Sequence, residues 1–319
     1  MEKSTPLVSV CMPAYNAGEY IADTVKSITD QSYTNWELII VNDGSTDDTA
    51  AIINQLTDSR IKVFHQENKG QCAAANQAFQ LSNGKLIKFM DADDLLSPNY
   101  IHNQVSMING DDDVIAFAAW GRFYNNSLAT FHLDDSFLTS SMKPAEWLIA
   151  SMTDKQVMLQ CALWLIPRKI LEVSGLWDET LSLINDFEFF IRVLLCAREL
   201  RFTNDAILYY RSGLAQSLSA TTSAKGAESA YHSVNLGTQH LLKQETSNRV
   251  KKIAADCFQR LVYTFYPQHK AIVHKAALKV KELGGSSIAF PAGGYTKILE
   301  SILGWKTTQY LKFIFKNRA

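Results

Sequence analysis

No excess of basic charge marks this chain. Thirty-one Lys and Arg stand against thirty-two Asp and Glu, a net charge of −1, so nucleic acid as main partner lacks its electrostatic footprint. Cysteine is scarce and unpatterned. Cys11, Cys72, Cys161, Cys196 and Cys257 show no C-x-x-C spacing, which argues against a zinc site or a disulfide framework and for buried thiols in a reducing cytoplasm. No uninterrupted run of about 18 apolar residues occurs, and Glu2, Lys3 and Pro6 stand where a signal peptide needs its apolar core. Secretion and membrane spanning are therefore not expected. No G-x-G-x-x-G follows the first apolar segment, which removes dinucleotide binding. What remains is a globular composition, 319 residues at 47% hydrophobic and 20% charged, long enough for one large domain with an appendage or for two domains.

Apolar runs alternate with helical patterns through the first hundred residues. Leu7 to Met12 ends at Pro13-Ala14-Tyr15-Asn16, and Ile21, Val25 and Ile28 then repeat at helical spacing. Trp36 to Val41 is a second buried strand, closed by Asn42-Asp43-Gly44, with Ser45 or Thr46 placed to cap the next helix. Ile61 to His65, an alanine-rich helix over Gln71 to Leu81, and Leu86 to Met90 complete four strands and three helices. This alternation predicts an α/β fold with a parallel sheet built from right-handed crossovers. Further on, the pattern predicts a helix over Tyr100–Ile108, strands over Val114–Trp120, Leu159–Ile166 and Ala206–Tyr210, and a helix over Pro167–Val173. Gly121 to Ser141 has no clear period and reads as a mobile acceptor-side loop. After the small-residue linker Ser212–Gly226 everything reads helical. A domain boundary is expected near 215–225, with 1–110 and 111–215 as halves of the first domain and 216–319 as a helical region.

The chemistry concentrates where strands end. Leu86 to Met90 stops abruptly at Asp91-Ala92-Asp93-Asp94, and acids at the carboxyl end of a parallel strand project into the crevice where α/β sheets bind ligands. Asp91 and Asp93 are spaced to serve one divalent cation or one phosphorylated ligand. Asp94 reads as the cap of the following helix. Asp43 ends another strand, and Gly44 lets a ligand approach the backbone. With Tyr15 and Asn16 these acids suit a nucleoside diphosphate: Asp43 for a base N–H, Asp91 for ribose hydroxyls, Asp93 for a metal screening the diphosphate. The plainer reading is that strand-end turns favour Asp, Asn and Gly in any case.

These segments resemble the GT-A glycosyltransferases, specifically the large inverting family called family 2. The resemblance rests on Val8 to Asn16, Trp36 to Asp47, Asn68-Lys69-Gly70, Asn76, Gly84 and Met90 to Asp94. It fades between about 110 and 155, returns from Gly175-Leu176-Trp177-Asp178-Glu179 to Arg192, and is absent beyond roughly 215. It implies a Rossmann-like, mainly parallel sheet flanked by helices, followed here by an all-helical extension. The implied activity is transfer of a sugar from a nucleotide diphosphate sugar, usually a UDP-sugar, to a saccharide or lipid-linked saccharide. Pro13, Ala14, Tyr15, Asn16, Asp43, Gly70, Asn76, Asp91 and Ala92 would then face the donor, Asp93 with Asp91 would hold Mn2+ or Mg2+, and Asp186 would be the catalytic base. Asn185 replaces the acid that relatives carry before that base. Ala75 replaces an arginine, so a basic contact is either lost or supplied by Lys69 or Arg211. No Arg-Trp pair marks a processive enzyme.

Two other readings compete: an aspartyl-phosphate phosphatase using Asp91 and Asp93, and a metal-dependent adhesion module at Asp43-Gly44-Ser45. For Asp186 the alternative role is the N-cap of the helix at Phe187; Asp178 is the competing base but reads more readily as a turn residue, and Arg192 as an ion-pair partner. Lys306, Lys312, Lys316 and Arg318 interleave with apolar and aromatic residues from Lys297 onward. That mixture suits peripheral contact with an anionic membrane, but packing on the catalytic domain or pairing in a homodimer is the favoured expectation.

Overall fold

Four short apolar runs become the parallel half of one sheet. β1 (Val8–Ala14), β2 (Trp36–Asp43), β3 (Ile61–Gln66) and β4 (Leu86–Phe89) lie in the order β3-β2-β1-β4. β2 is buried at every position and β1 at all but Pro13, as strands covered on both faces must be. The crossovers are α1 (Ile21–Thr29), α2 (Thr49–Ile53) and α3 (Gln71–Leu81). The structure is a computed structural model that describes residues 5–153, 157–214 and 223–316. Neither Ser45 nor Thr46 caps α2; Asp48 holds that position. Instead the Asn16 N–H donates to Ser45 Oγ at 3.0 Å, and Asp47 accepts from the Gly18 N–H at 2.9 Å. The loops after β1 and β2 are thereby tied into one rim.

Beyond β4 the sheet turns mixed. β8 (Trp164–Pro167) runs antiparallel between β4 and β6 (Val114–Tyr124). β9 (Glu199–Arg211) lies parallel to β6, and β5 (Leu95–Leu96) pairs antiparallel with β9. The expected mobile loop over Gly121–Ser141 is not one. β6 runs on to Tyr124 and turns into β7 (Ser127–Leu133). Asn125 and Asn126 both take positive φ, 53° and 52°, the two-residue hairpin turn that asparagine tolerates. Helices α4 (Tyr100–Ile108), α5 (Pro144–Met152), α6 (Arg168–Ser174) and α7 (Asn185–Leu195) cover this half.

The C-terminal region is helical: α8 (Ala224–Gln244), α9 (Asn248–Phe265), α10 (Lys270–Glu282) and α11 (Tyr295–Lys316). The main core reaches into it through Leu241, Val250 and Ile253, and a second small core gathers around Phe258, Phe265 and Ala276. Part of the expected linker, 215–222, lies outside the described residues.

Two buried charges set the stage for the site. Lys88 in β4 is fully buried and donates to the Ala162 and Trp164 carbonyls at 2.8 and 3.1 Å, propping the turn at Cys161–Leu163. Burial pushes its ammonium down to about 7. On α7, burial would raise Glu188, but hydrogen bonds from His240 and Arg192, and their charges, overcome it and bring the carboxyl down to about 2. A carboxyl held that low stabilises the fold above about pH 4.5 and loses that stabilisation as pH falls to about 2. Glu188→Gln should therefore cost about 3 kcal/mol at pH 7. Chemical denaturation across pH should show that cost shrinking between pH 4.5 and 2; a constant difference would mean the loss is packing alone.

Candidate active site

Three strand ends converge. Pro13 and Ala14 close β1, Asp43 closes β2, and Asp91, Ala92 and Asp93 follow β4. Pro13, Gln71, Ala75, Asp91, Cys161 and Trp177 line one small crevice there. Tyr15, two residues beyond Pro13, is 52% exposed, an uncovered aromatic face at the same strand end. Asn16 sits at φ 48°, and its Oδ1 accepts from the Thr46 N–H at 2.8 Å.

Asp43 is turned inward. Its Oδ1 accepts from Gln66 Nε2 at 2.6 Å and the Lys69 N–H at 2.8 Å, and its Oδ2 from the Gly70 N–H at 2.9 Å. It thus clasps the loop before α3, and Oδ2 keeps a further lone pair. Gly44 at φ 71° is required: a Cβ there would lie 2.8 Å from the Asn68 nitrogen. With Ser45 Oγ spent on Asn16 and Asp43 holding the loop before α3, the one lone pair left on Asp43 Oδ2 falls short of the oxygen set of a metal-dependent adhesion site. Asn76 is also spent within the protein. Its amide donates to the Trp177 carbonyl and Glu179 Oε1, both at 2.9 Å, and accepts from the Trp177 N–H at 3.0 Å. It fixes the Trp177 turn, which lines the crevice, rather than opening onto it.

The acids after β4 form a cluster. One carboxylate oxygen from each of Asp91, Asp93 and Asp94 lies within 4.8 Å of the others. Asp94 does not cap a helix. β5 and Pro98 intervene, α4 starts at Tyr100 behind Asn99, and Asp94 is fully buried. It accepts instead from Gln160 Nε2 at 2.7 Å and the Arg211 N–H at 2.9 Å. Gln160 also reaches Asp91 Oδ2 at 3.2 Å, while Gln71 donates to Asp91 Oδ1 at 2.8 Å. Lys69 is exposed. Arg211 is the cation beside the cluster, its Nε donating to the Asp93 carbonyl at 2.6 Å. It also donates to Asn126 Oδ1 and lies between the rings of Tyr20 and Phe123.

Charge in this cluster is under-compensated. Burial raises Asp91; burial and the charge of Asp91 push Asp93 up to about 7; burial and both neighbours raise Asp94 well above the carboxylate range. Crowded oxygen donors whose negative charge the protein leaves unpaired are the donor set that a hard divalent cation takes. The residues present therefore fit Mn2+ or Mg2+, with Asp93 and Asp91 as ligands and Asp94 pinned behind them by Gln160.

Asp186 faces this cluster from α7. It is not the cap, since Ile184 precedes the helix and Asn185 begins it. No described residue donates to its half-buried carboxylate. Burial, then the charge of Asp91, raises its pKa well above the ordinary value. Asn185 serves as a connector: its Nδ2 donates to Gln71 Oε1 at 3.3 Å, and Gln71 holds Asp91. Asp178 accepts from the Thr180 N–H at 2.9 Å as a turn residue, and Arg192 pairs with Glu188 at 2.6 Å.

Gln71 and Gln160 carry no sequence signature, yet both aim the metal-fitting acids. Removing such outer partners typically costs 10–100-fold in metal affinity. Gln160→Ala should weaken Mn2+ binding by about tenfold or more, and Gln160→Glu should perturb it further by adding a like charge. Calorimetric Mn2+ titration decides; affinity unchanged in both variants would make Gln160 a structural residue only.

Comparisons with known proteins give the family and the fold. Residues 9–174 match the family described as Glycosyl transferase family 2. The putative teichuronic acid biosynthesis glycosyltransferase TuaG of Bacillus subtilis is 43% identical over 106 residues, covering 32% of this chain and 42% of that one. The UDP-Glc:alpha-D-GlcNAc-diphosphoundecaprenol beta-1,3-glucosyltransferase WfgD of Escherichia coli is 36% identical over 123 residues, 38% of this chain and 49% of that one. The chain matches less than two thirds of the length of these relatives. A solved structure of S. aureus TarS in complex with UDP-GlcNAc superposes with a TM-score of 0.62 at 16% identity, covering 86% of this chain and 88% of that one. That likeness is one of fold.

Proposed function

The chain belongs to glycosyl transferase family 2, and from that premise we propose that it moves a single sugar from a UDP-sugar to a hydroxyl of a saccharide or lipid-linked saccharide. The reaction inverts the anomeric centre and serves surface polysaccharide or glycan synthesis. The observation that carries the reading is the placement of the Asp91–Asp93–Asp94 cluster at the end of β4, facing a half-buried Asp186 to which no described residue donates. By its name WfgD supports a lipid-linked acceptor, and TuaG supports a role in polysaccharide synthesis.

In this reading Tyr15 stacks on the base, Asp43 accepts from it on the free lone pair of Oδ2, and Pro13, Ala14, Asn16, Gly70 and Ala92 shape the backbone around the nucleotide. Asp91 holds ribose hydroxyls and, with Asp93, the metal. A bound Mn2+ or Mg2+ would stabilise charge on the departing diphosphate. Asp186 takes the proton of the acceptor hydroxyl, a poor nucleophile until deprotonated. One carboxylate base opposite the leaving group suits direct displacement. Free thiols at Cys11, Cys72, Cys161, Cys196 and Cys257 favour the cytoplasm. Among the described residues no helix is long and apolar enough to cross a membrane.

The test is incubation with a panel of UDP-sugars and saccharide or polyprenol-linked acceptors, following UDP release and product configuration. An inverted product formed only with Mn2+ or Mg2+ is expected. A retained configuration, or transfer that is full in EDTA, contradicts the proposal.

A further inference from the structure

Helix α11 is broken at Gly304 (φ 72°, ψ 161°) into two arms with different surroundings. The second arm packs within its own region: Trp305 meets Tyr263 at 4.9 Å and Tyr266 at 5.4 Å, and Thr308 is fully buried. The expected partner was the catalytic domain; the described contact is instead with α9, inside the helical region. The first arm leaves its apolar side chains exposed. Tyr295, Ile298, Leu299, Ile302 and Leu303 are 87, 59, 37, 72 and 45% exposed. Their spacing puts them on one face, with Lys297, Glu300 and Ser301 on the other. Half of the fourteen large hydrophobics exposed among the described residues belong to α11, and such a concentration marks a contact surface.

Charge says what kind. Residues 248–319 hold thirteen Lys and Arg against three Asp and Glu, a net +10, whereas residues 1–247 hold eighteen against twenty-nine, a net −11. The near-neutral total hides a strongly basic helical region. A two-fold dimer through this face would bring together two helical regions that each carry a net +10. A nucleic acid backbone would meet the charge but leave the apolar stripe unmatched. An anionic bilayer surface satisfies both features, taking the stripe into its acyl boundary and the lysines against its headgroups.

We propose that the first arm of α11 lies in the surface of an anionic membrane, with the basic helical region against the headgroups. The proposal deepens the lipid-linked arm of the proposed function, bringing the crevice to its acceptor. It is tested without any enzymatic readout, so either can fail alone. Full-length protein is sedimented with vesicles of phosphatidylcholine alone and of phosphatidylcholine with phosphatidylglycerol. Binding at least about tenfold stronger to the anionic vesicles, weakening with salt, is expected. Ile298→Glu with Ile302→Glu, and separately Lys297→Glu with Lys306→Glu, should each lower it about tenfold or more. All four residues are exposed, so circular dichroism and nucleotide binding should stay unchanged. Absence of binding, equal binding to both vesicle types, or a dimer in light scattering that Ile302→Glu dissociates, would overturn the proposal.

Discussion

Asp186→Asn is expected to lower sugar transfer by about 10²–10⁴-fold while leaving nucleotide binding unchanged within about twofold. The substitution keeps the shape of a side chain in the first turn of α7 and removes only its ability to take a proton. No described donor depends on the carboxylate, so the fold has little to lose. The acid dependence follows from the same surroundings. Burial and the charge of Asp91 raise the Asp186 pKa, so the ionised, proton-accepting form grows as pH rises and transfer should climb with it. Asp186→Asn should remove that climb. Steady-state transfer measured across pH with saturating donor checks both. Full activity in Asp186→Asn would require another base, and Asp178 is already committed to its turn.

Asp93→Ala is expected to abolish the metal-dependent part of nucleoside diphosphate binding, weakening UDP affinity in Mn2+ by about a hundredfold, as losing a Lewis-acid contact worth several kcal/mol implies. The same variant should be more stable than the parent without metal. A carboxyl raised to about 7 contributes stability below about pH 4 and loses it as pH rises through 7. Removing Asp93 therefore relieves the metal-free protein at pH 8 and does little at pH 4. A higher melting temperature at pH 8 together with lost metal-dependent binding would separate a metal ligand from a structural acid. Lower stability at both pH values, with binding retained, would show that Asp93 serves the fold.

Much of this was legible because buried parallel strands advertise themselves. β1 to β4 are apolar runs, and each change to Asp, Asn or Gly marked where the backbone leaves the sheet. The second half was harder for physical reasons. β8 enters antiparallel beside β4, and nothing in Trp164–Pro167 encodes its direction. The β6–β7 hairpin did leave a trace, Asn125-Asn126, but its weak alternation hid it. Asp94 misled because a carboxylate before a helical pattern ordinarily caps it; here two residues of β5 pull it under the site, where Gln160 and the Arg211 backbone satisfy it. Gln71 and Gln160 were invisible, since an amide that aims a carboxylate across 20 or 69 positions follows no local rule. Near-neutral total charge likewise concealed the basic helical region.

The central claim is that the three strand ends form one nucleotide site completed by a divalent cation at Asp91 and Asp93. Calorimetric titration of the native protein with UDP, GDP, CDP and ADP, each with Mn2+ and with EDTA, tests it most directly. The account predicts that UDP binds tightest and only in Mn2+. Equal UDP binding in EDTA, or no binding of any nucleotide in either condition, would contradict it.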